Sequence, residues 1–260
     1  MEKVLIAREL TKQRLSLTPI NLPAELRPSD EEEGYSAQEE VGKQLIASGL
    51  GPPVGHKIGC TTPVMQKFLS INNPCAGIIF QKTVGQNRMQ IPASGFIKVG
   101  IECEIGVFIK SDIHPQDHLY SVDKLTTHIE SVVIAMEIVD DRYRSYAELG
   151  VPTLIADNFF NSGCVLGERR KKWQDIELDK VVGITRINGK VVGKGSGQAV
   201  MGHPMNALKW LANNRSRRGL GIKKGEFVLL GSVVETKWLY PGDFAEITVE
   251  DLGSVSLVVN

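Results

Sequence analysis

The chain lacks any imbalance of charge: 30 lysines and arginines face 30 aspartates and glutamates, so no net field draws it to nucleic acid or to an anionic membrane surface. Aromatic residues make up only 6% of it. The basic clusters Arg169-Arg170-Lys171-Lys172 and Arg215 to Arg218 contain no interleaved rings on which bases could stack, and they read as solvated loops. No apolar run approaches membrane-spanning length, and Glu2 and Glu9 break any signal- or transit-peptide pattern, which predicts a cytoplasmic protein. Cysteine is scarce: Cys60, Cys75, Cys103 and Cys164 form no CxxC pair and read as reduced packing residues. The glycine-rich stretch KGSGQAVMG has neither dinucleotide-fingerprint nor P-loop spacing, so no nucleotide cofactor is expected. What these absences leave is chemistry on a small molecule.

What is present is a core of adequate size, with 42% hydrophobic residues in 260. Residues 1–53 read as a helical N-terminal extension. Val4, Leu5, Leu10, Leu15 and Leu17 lie at amphipathic spacing, and a second helix starts at Pro28-Ser29-Asp30 with Glu31, Glu32 and Glu33 in its first turn. Gly49 and Pro52-Pro53 end it. Residues 54–260 read as one β-rich catalytic unit. FIKVGIECEIGVFI and SVVIAMEIVD are strands, TRINGKVVGKG is a hairpin turning at Asn188-Gly189, HPMNALKWLANN is a helix, and EFVLLGS, FAEITVE and SVSLVV are further strands. The fold class is α+β, a rolled or sandwiched mixed sheet with helices mainly at one end.

The chemistry concentrates in carboxylates. In IECEIGVFI, Glu102 and Glu104 stand at i and i+2, so on a strand both project from one face, their Cα atoms roughly 6.5 Å apart. One reading makes this the solvent face of an edge strand; the other makes it half of a metal site. Glu137 tilts the balance, because it stands inside VVIAMEIVD, where an unpaired carboxylate is costly to bury. A shared cation relieves that cost, and three carboxylates with open positions suit Mg²⁺ or Mn²⁺ better than zinc. Lys57, in GHKIGCTT, is either an anion-binding or proton-transferring group or an ordinary surface lysine; His56 reads as surface or packing. Asp157, Asn158 and Ser162 occupy a polar turn, ADNFFNSG, for which capping is the default explanation.

Taken in order, PSDEEEGYSAQ, GHKIGCTT, NPCAGIIF, IECEIGVFI, AMEIVDDRY, ADNFFNSGCVLG, GHPMNALKWLAN, VLLGS, YPGD and DLGSVSL resemble the 2-keto-4-pentenoate hydratase / 4-oxalocrotonate decarboxylase family, a branch of the fumarylacetoacetate hydrolase superfamily. The resemblance runs from about Ser29 to the C-terminus. It implies a mixed β-sandwich or roll of the fumarylacetoacetate hydrolase C-terminal type and a homo-oligomer. It also implies that Glu102, Glu104 and Glu137 are the metal ligands and that Lys57, Asp157 and Ser162 are the catalytic residues, the turn that carries Asp157 lining the pocket. The expected activity is metal-dependent hydration of a 2-hydroxy-2,4-dienoate or 2-oxo-alkenoate to a 4-hydroxy-2-oxo acid. Decarboxylation of a 2-oxo acid of the 4-oxalocrotonate type is the alternative, and a non-catalytic binding or scaffold protein the reading from another class. Two stretches depart from the family: Asn73-Pro74-Cys75 stands where many hydratases carry a proton-transferring aspartate, and Val233-Val234-Glu235-Thr236 replaces a small, Thr-rich run.

Overall fold

The computed structural model describes residues 2–260. Two helices come first, α1 (Glu2–Leu15) and α2 (Glu31–Leu45). The start of α2 follows from its capping residues: the Asp30 carboxylate accepts the Glu33 N–H at 2.9 Å, and the Glu33 carboxylate reaches back to the Ser29 N–H at 2.7 Å. A turn of π-helix, Ile46–Leu50, carries the chain off α2, with Gly49 at φ 99°. The apolar stripe expected along α1 is corrected. Ile6, Ala7, Leu10 and Thr11 form its buried face, while Val4, Leu5, Leu15 and Leu17 are exposed. The i, i+4 pairs 6/10 and 7/11 are the ones in register with the core.

The remaining elements are β1 (Pro53–Gly59), α3 (Pro63–Leu69), β2 (Cys75–Phe80), β3 (Val84–Gln86), β4 (Arg88–Ile91), β5 (Val99–Ile109), α4 (Val122–Thr126), β6 (Ile129–Asp140), α5 (Tyr146–Ala156), β7 (Asn161–Leu166), β8 (Val182–Ile187), β9 (Lys190–Ser196), α6 (Pro204–Arg217), β10 (Phe227–Trp238), β11 (Phe244–Val249) and β12 (Gly253–Val259). They build a mixed twelve-stranded sheet in the order β2-β1-β10-β5-β6-β7-β3-β4-β12-β11-β8-β9. The β1–β10, β3–β7 and β4–β12 pairs are parallel and the others antiparallel. The sheet rolls over so that its last strand returns to β10, where Gly193 and Gly195 lie against Val233 and Val234. The β8–β9 hairpin turns at Asn188 and Gly189 with both φ angles positive, as that dipeptide predicts.

β5 and β6 are the long central strands, and their two faces differ. Ile101, Cys103, Ile105 and Val107, with Met136 and Ile138, point into the main core that also takes in α1, α2 and α5. The opposite face begins with Glu102, Glu104 and Glu137 and continues into a smaller apolar cluster around Phe108, Val133, Phe227 and Leu229. The carboxylates therefore stand on interior strands rather than at a solvated edge.

Candidate metal centre

The strand register assembles the carboxylates. Glu102 and Glu137 are direct partners across the β5–β6 pair, and Glu104 follows two residues on from Glu102 on the same face. One oxygen from each lies within 4.8 Å of the others. Each carboxylate is held through one oxygen. Glu104 Oε2 accepts the Gly231 N–H at 2.9 Å, Glu137 Oε1 accepts the Asn161 side-chain amide at 2.9 Å, and Glu102 Oε1 accepts the Thr236 hydroxyl. The second oxygens of Glu104 and Glu137 are buried without any hydrogen-bond partner. Gly231 can donate there only because it has no side chain: at φ 113°, a Cβ would sit 2.6 Å from the Thr61 side chain.

Lys57 stands on β1 on the same face. Its ammonium lies 3.1 Å from Glu137 Oε1 and 5.1 Å from the centroid of the Phe159 ring, and its side chain is buried. The glycine of the KIG sequence is required by this packing, since a Cβ on Gly59 would meet the Phe159 ring at 2.8 Å and the ammonium at 3.1 Å. Burial alone would lower the pKa of Lys57, but Glu137, Glu102 and Glu104 outweigh it and the net direction is upward. Burial, and then repulsion from Glu137, push Glu102 above the usual carboxylate range; burial, Glu137 and Glu102 push Glu104 further still. Three carboxylates and one ammonium carry a formal charge of −2 in a buried site. Buried acceptor oxygens left over and excess negative charge fit a hard divalent cation.

Asp157 and Ser162 are not in contact with the carboxylates. Asp157 ends α5 and is buried against Arg142, whose Nε and Nη2 both lie 2.9 Å from its Oδ2, and against the Tyr143 hydroxyl at 3.0 Å. Ser162 Oγ accepts from Arg142 Nη1 at 2.9 Å. Between them Asn158, Phe159 and Phe160 run successively at φ 72°, 44° and 65°, a left-handed path that costs about 1–2 kcal/mol per residue for side chains of this kind. The β6–β7 register then shifts between Ile138 and Val139, a bulge that re-aims Asn161 at Glu137. Asn161, Gly231 and Thr236 were not among the residues predicted from sequence. Cys75 is buried at the start of β2 opposite Gly59, and burial, then Cys60 and Glu31, hold its thiol well above the ordinary cysteine range. Two open surface concavities, of about 650 and 360 Å³, lie away from all of these residues, one beside Glu9 and Arg144 and the other beside Arg88 and Arg170.

Residues 70–260 match the fumarylacetoacetate (FAA) hydrolase C-terminal family. The chain is also 30% identical over 229 residues to 2-keto-4-pentenoate hydratase 1 of Dechloromonas aromatica (strain RCB), covering 88% of this chain and 85% of that protein. The chain belongs to the fumarylacetoacetate hydrolase superfamily, in its 2-keto-4-pentenoate hydratase / 4-oxalocrotonate decarboxylase branch. Within that branch, 4-oxalocrotonate decarboxylase of Pseudomonas putida is 28% identical over 86% of this chain and 83% of its own length. The solved structure of 4-oxalocrotonate decarboxylase from Pseudomonas putida G7, complexed with magnesium and adipate, superposes with a TM-score of 0.92 at 25% identity, covering 99% of this chain and 97% of the other. The superfamily's mixed sheet and the two N-terminal helices are thus shared along nearly the whole chain.

Proposed function

We propose that the protein is a divalent-metal-dependent hydro-lyase that adds water to a 2-hydroxy-2,4-dienoate or 2-oxo-alkenoate and releases a 4-hydroxy-2-oxo acid. The observation that carries this reading is the division of labour within the carboxylates: each is held through one oxygen, and buried acceptor oxygens are left over on Glu104 and Glu137. Glu102, Glu104 and Glu137 would hold the ion, Mg²⁺ or Mn²⁺, and the magnesium complex of the decarboxylase relative supports that choice. When bound, the ion supplies Lewis-acid stabilisation of negative charge on the oxygens of a 2-oxo acid. The chain supplies the rest. Gly231, Thr236 and Asn161 fix the three carboxylates, and Lys57 Nζ carries the proton that is donated to or taken from the substrate carbon. The Phe159 ring covers the ammonium and excludes water from it.

Decarboxylation is the second reading. It is favoured by the likeness to the Pseudomonas decarboxylase and by Cys75, whose protonated thiol cannot act as the base that hydration calls for at that loop. Nothing favours a non-catalytic scaffold. As part of the same proposal the protein works in the cytoplasm as a homo-oligomer; no helix among the described residues is long and apolar enough to cross a membrane, and Val64 and Phe68 on α3 leave apolar surface exposed. The test is turnover of purified protein, with Mg²⁺ and after chelation, on 2-hydroxypenta-2,4-dienoate and on 4-oxalocrotonate, following absorbance and CO₂. Metal-dependent loss of dienoate absorbance without CO₂ is expected. CO₂ release from 4-oxalocrotonate alone establishes the second reading, and turnover insensitive to chelation contradicts both.

A further inference from the structure

Next to the carboxylates lies a second buried cluster of charge that the chemistry above does not use. Arg142 is 1% exposed and Asp157 fully buried, the Arg14 side chain is 10% exposed, and they meet at the turn between α5 and β7. We propose that Arg142 and Asp157, with Arg14 and Tyr143, are positioning residues: they clamp the left-handed turn Asn158–Phe160 in the conformation that delivers Asn161 to Glu137 and Phe159 to Lys57. The proposal rests on the reading of Glu102, Glu104 and Glu137 as a metal centre.

Three successive left-handed residues, two of them phenylalanines, persist only where their surroundings over-determine them. Here the carbonyls of the turn are taken by guanidinium N–H groups: Asp157 O by Arg142 Nη2 at 3.2 Å and Arg14 Nη1 at 3.3 Å, Phe160 O by Arg142 Nη1 at 3.2 Å, and Asn161 O by Arg14 Nη2 at 3.0 Å. The Tyr143 hydroxyl donates to Asp157 Oδ2 at 3.0 Å and accepts the Phe160 N–H at 3.3 Å, which ties the carboxylate to the turn. On the other side the Asn158 side chain pairs with β2 as a strand would, accepting the Ile78 N–H at 2.6 Å and donating to Ile78 O at 2.8 Å. Asn161 joins the two clusters. Its carbonyl is on Arg14 and its amide is on Glu137 Oε1, the same oxygen that faces Lys57. A relaxed turn would carry the amide away from Glu137 and the Phe159 ring away from the ammonium. The charge on Asp157 holds both arginines at the turn, so its effect on the metal is transmitted through Asn161 rather than by contact.

The experiment compares wild type with Asp157→Asn, which keeps the side chain's shape and removes its charge, and with Tyr143→Phe, which removes only the hydroxyl. Each is measured for Mn²⁺ affinity by calorimetry and for kcat and KM on 2-hydroxypenta-2,4-dienoate, well below its unfolding midpoint. Leu257→Ala on β12, a core residue outside the turn, serves as a control for loss of stability alone. Asp157→Asn is expected to weaken Mn²⁺ binding and lower kcat, each by about tenfold, the scale seen when a partner that orients a ligand is lost. Tyr143→Phe shifts both in the same direction by less, and decides the matter if Asp157→Asn does not fold. Leu257→Ala lowers the unfolding midpoint and leaves affinity and kcat unaltered. If the folded variants bind Mn²⁺ and turn over as wild type does, the clamp is overturned and the metal reading stands. If wild type itself binds no Mn²⁺, the metal centre falls and the clamp with it.

Discussion

The carboxylates around Glu137 and the guanidinium groups around Asp157 share Asn161, yet the two buried clusters are completed in opposite ways. Around Asp157, two arginines meet Asp157 and Asp140, a formal charge of zero, and nearby carbonyls take up the remaining N–H groups. The one Asp157 oxygen without a hydrogen bond, Oδ1, still faces Arg14 Nη1 at 3.8 Å. Around Glu137, three carboxylates meet a single ammonium, and the free oxygens of Glu104 and Glu137 face no donor. An interior tolerates the first arrangement unaided; it tolerates the second only with protons or a cation. Buried charge alone is thus no mark of a ligand site. Leftover acceptor capacity is the mark, and the predictions below test whether the two clusters are as different as that distinction requires.

The largest effect is expected at Lys57. Lys57→Met removes the proposed proton carrier and keeps all three carboxylates, so kcat should fall by about two to four orders of magnitude while Mn²⁺ still binds. An unaltered kcat would take Lys57 out of the chemistry, and loss of Mn²⁺ binding would recast it as part of the metal centre. Smaller losses are expected where carboxylates are oriented. Asn161→Ala and Thr236→Val each free one held oxygen, and metal affinity or kcat/KM should fall by about 10- to 100-fold for each. Wild-type behaviour in both would mean that the carboxylates orient themselves.

The smallest effect is on stability, and its sign is fixed by the pKa directions. Glu102 and Glu104 hold their protons more tightly folded than unfolded, so the metal-free protein takes up protons on folding. That contribution is present below the ordinary glutamate range and is lost as pH rises through the raised values. A cation offsets the repulsion and removes the dependence. The gain in unfolding temperature on adding saturating Mn²⁺ should therefore be greater at pH 8 than at pH 5. A gain independent of pH would mean that the carboxylates are already ionised and compensated without metal.

Much of this was legible in the sequence, for reasons that can be named. Alternation in IECEIGVFI and the apolar run around Glu137 predict both central strands and the face on which the carboxylates meet, and the capping residues at Asp30 predict where α2 starts. The orienting partners were not legible, because the fold brings them from afar: Asn161 is 24 residues from Glu137, Gly231 is 127 from Glu104 and Thr236 is 134 from Glu102. Nor could spacing show what Asp157 touches, since turn capping and a place on Arg142 look alike until Arg142 is folded against it. The stripe on α1 was right at Leu10 and misplaced elsewhere, because Val4, Leu5 and Leu15 lie off the face that carries Ile6, Ala7, Leu10 and Thr11 into the core.

The most direct test of the distinction between the two clusters is a calorimetric Mn²⁺ titration of the metal-free protein beside Glu104→Gln, whose amide cannot supply the charge that the free Oε1 offers. Wild type should bind one ion per chain at this site, with protons released at low pH, and Glu104→Gln should bind it at least about 100-fold more weakly while remaining folded. Equal binding by both proteins, or none by wild type, would contradict the assignment of Glu102, Glu104 and Glu137 as the metal ligands.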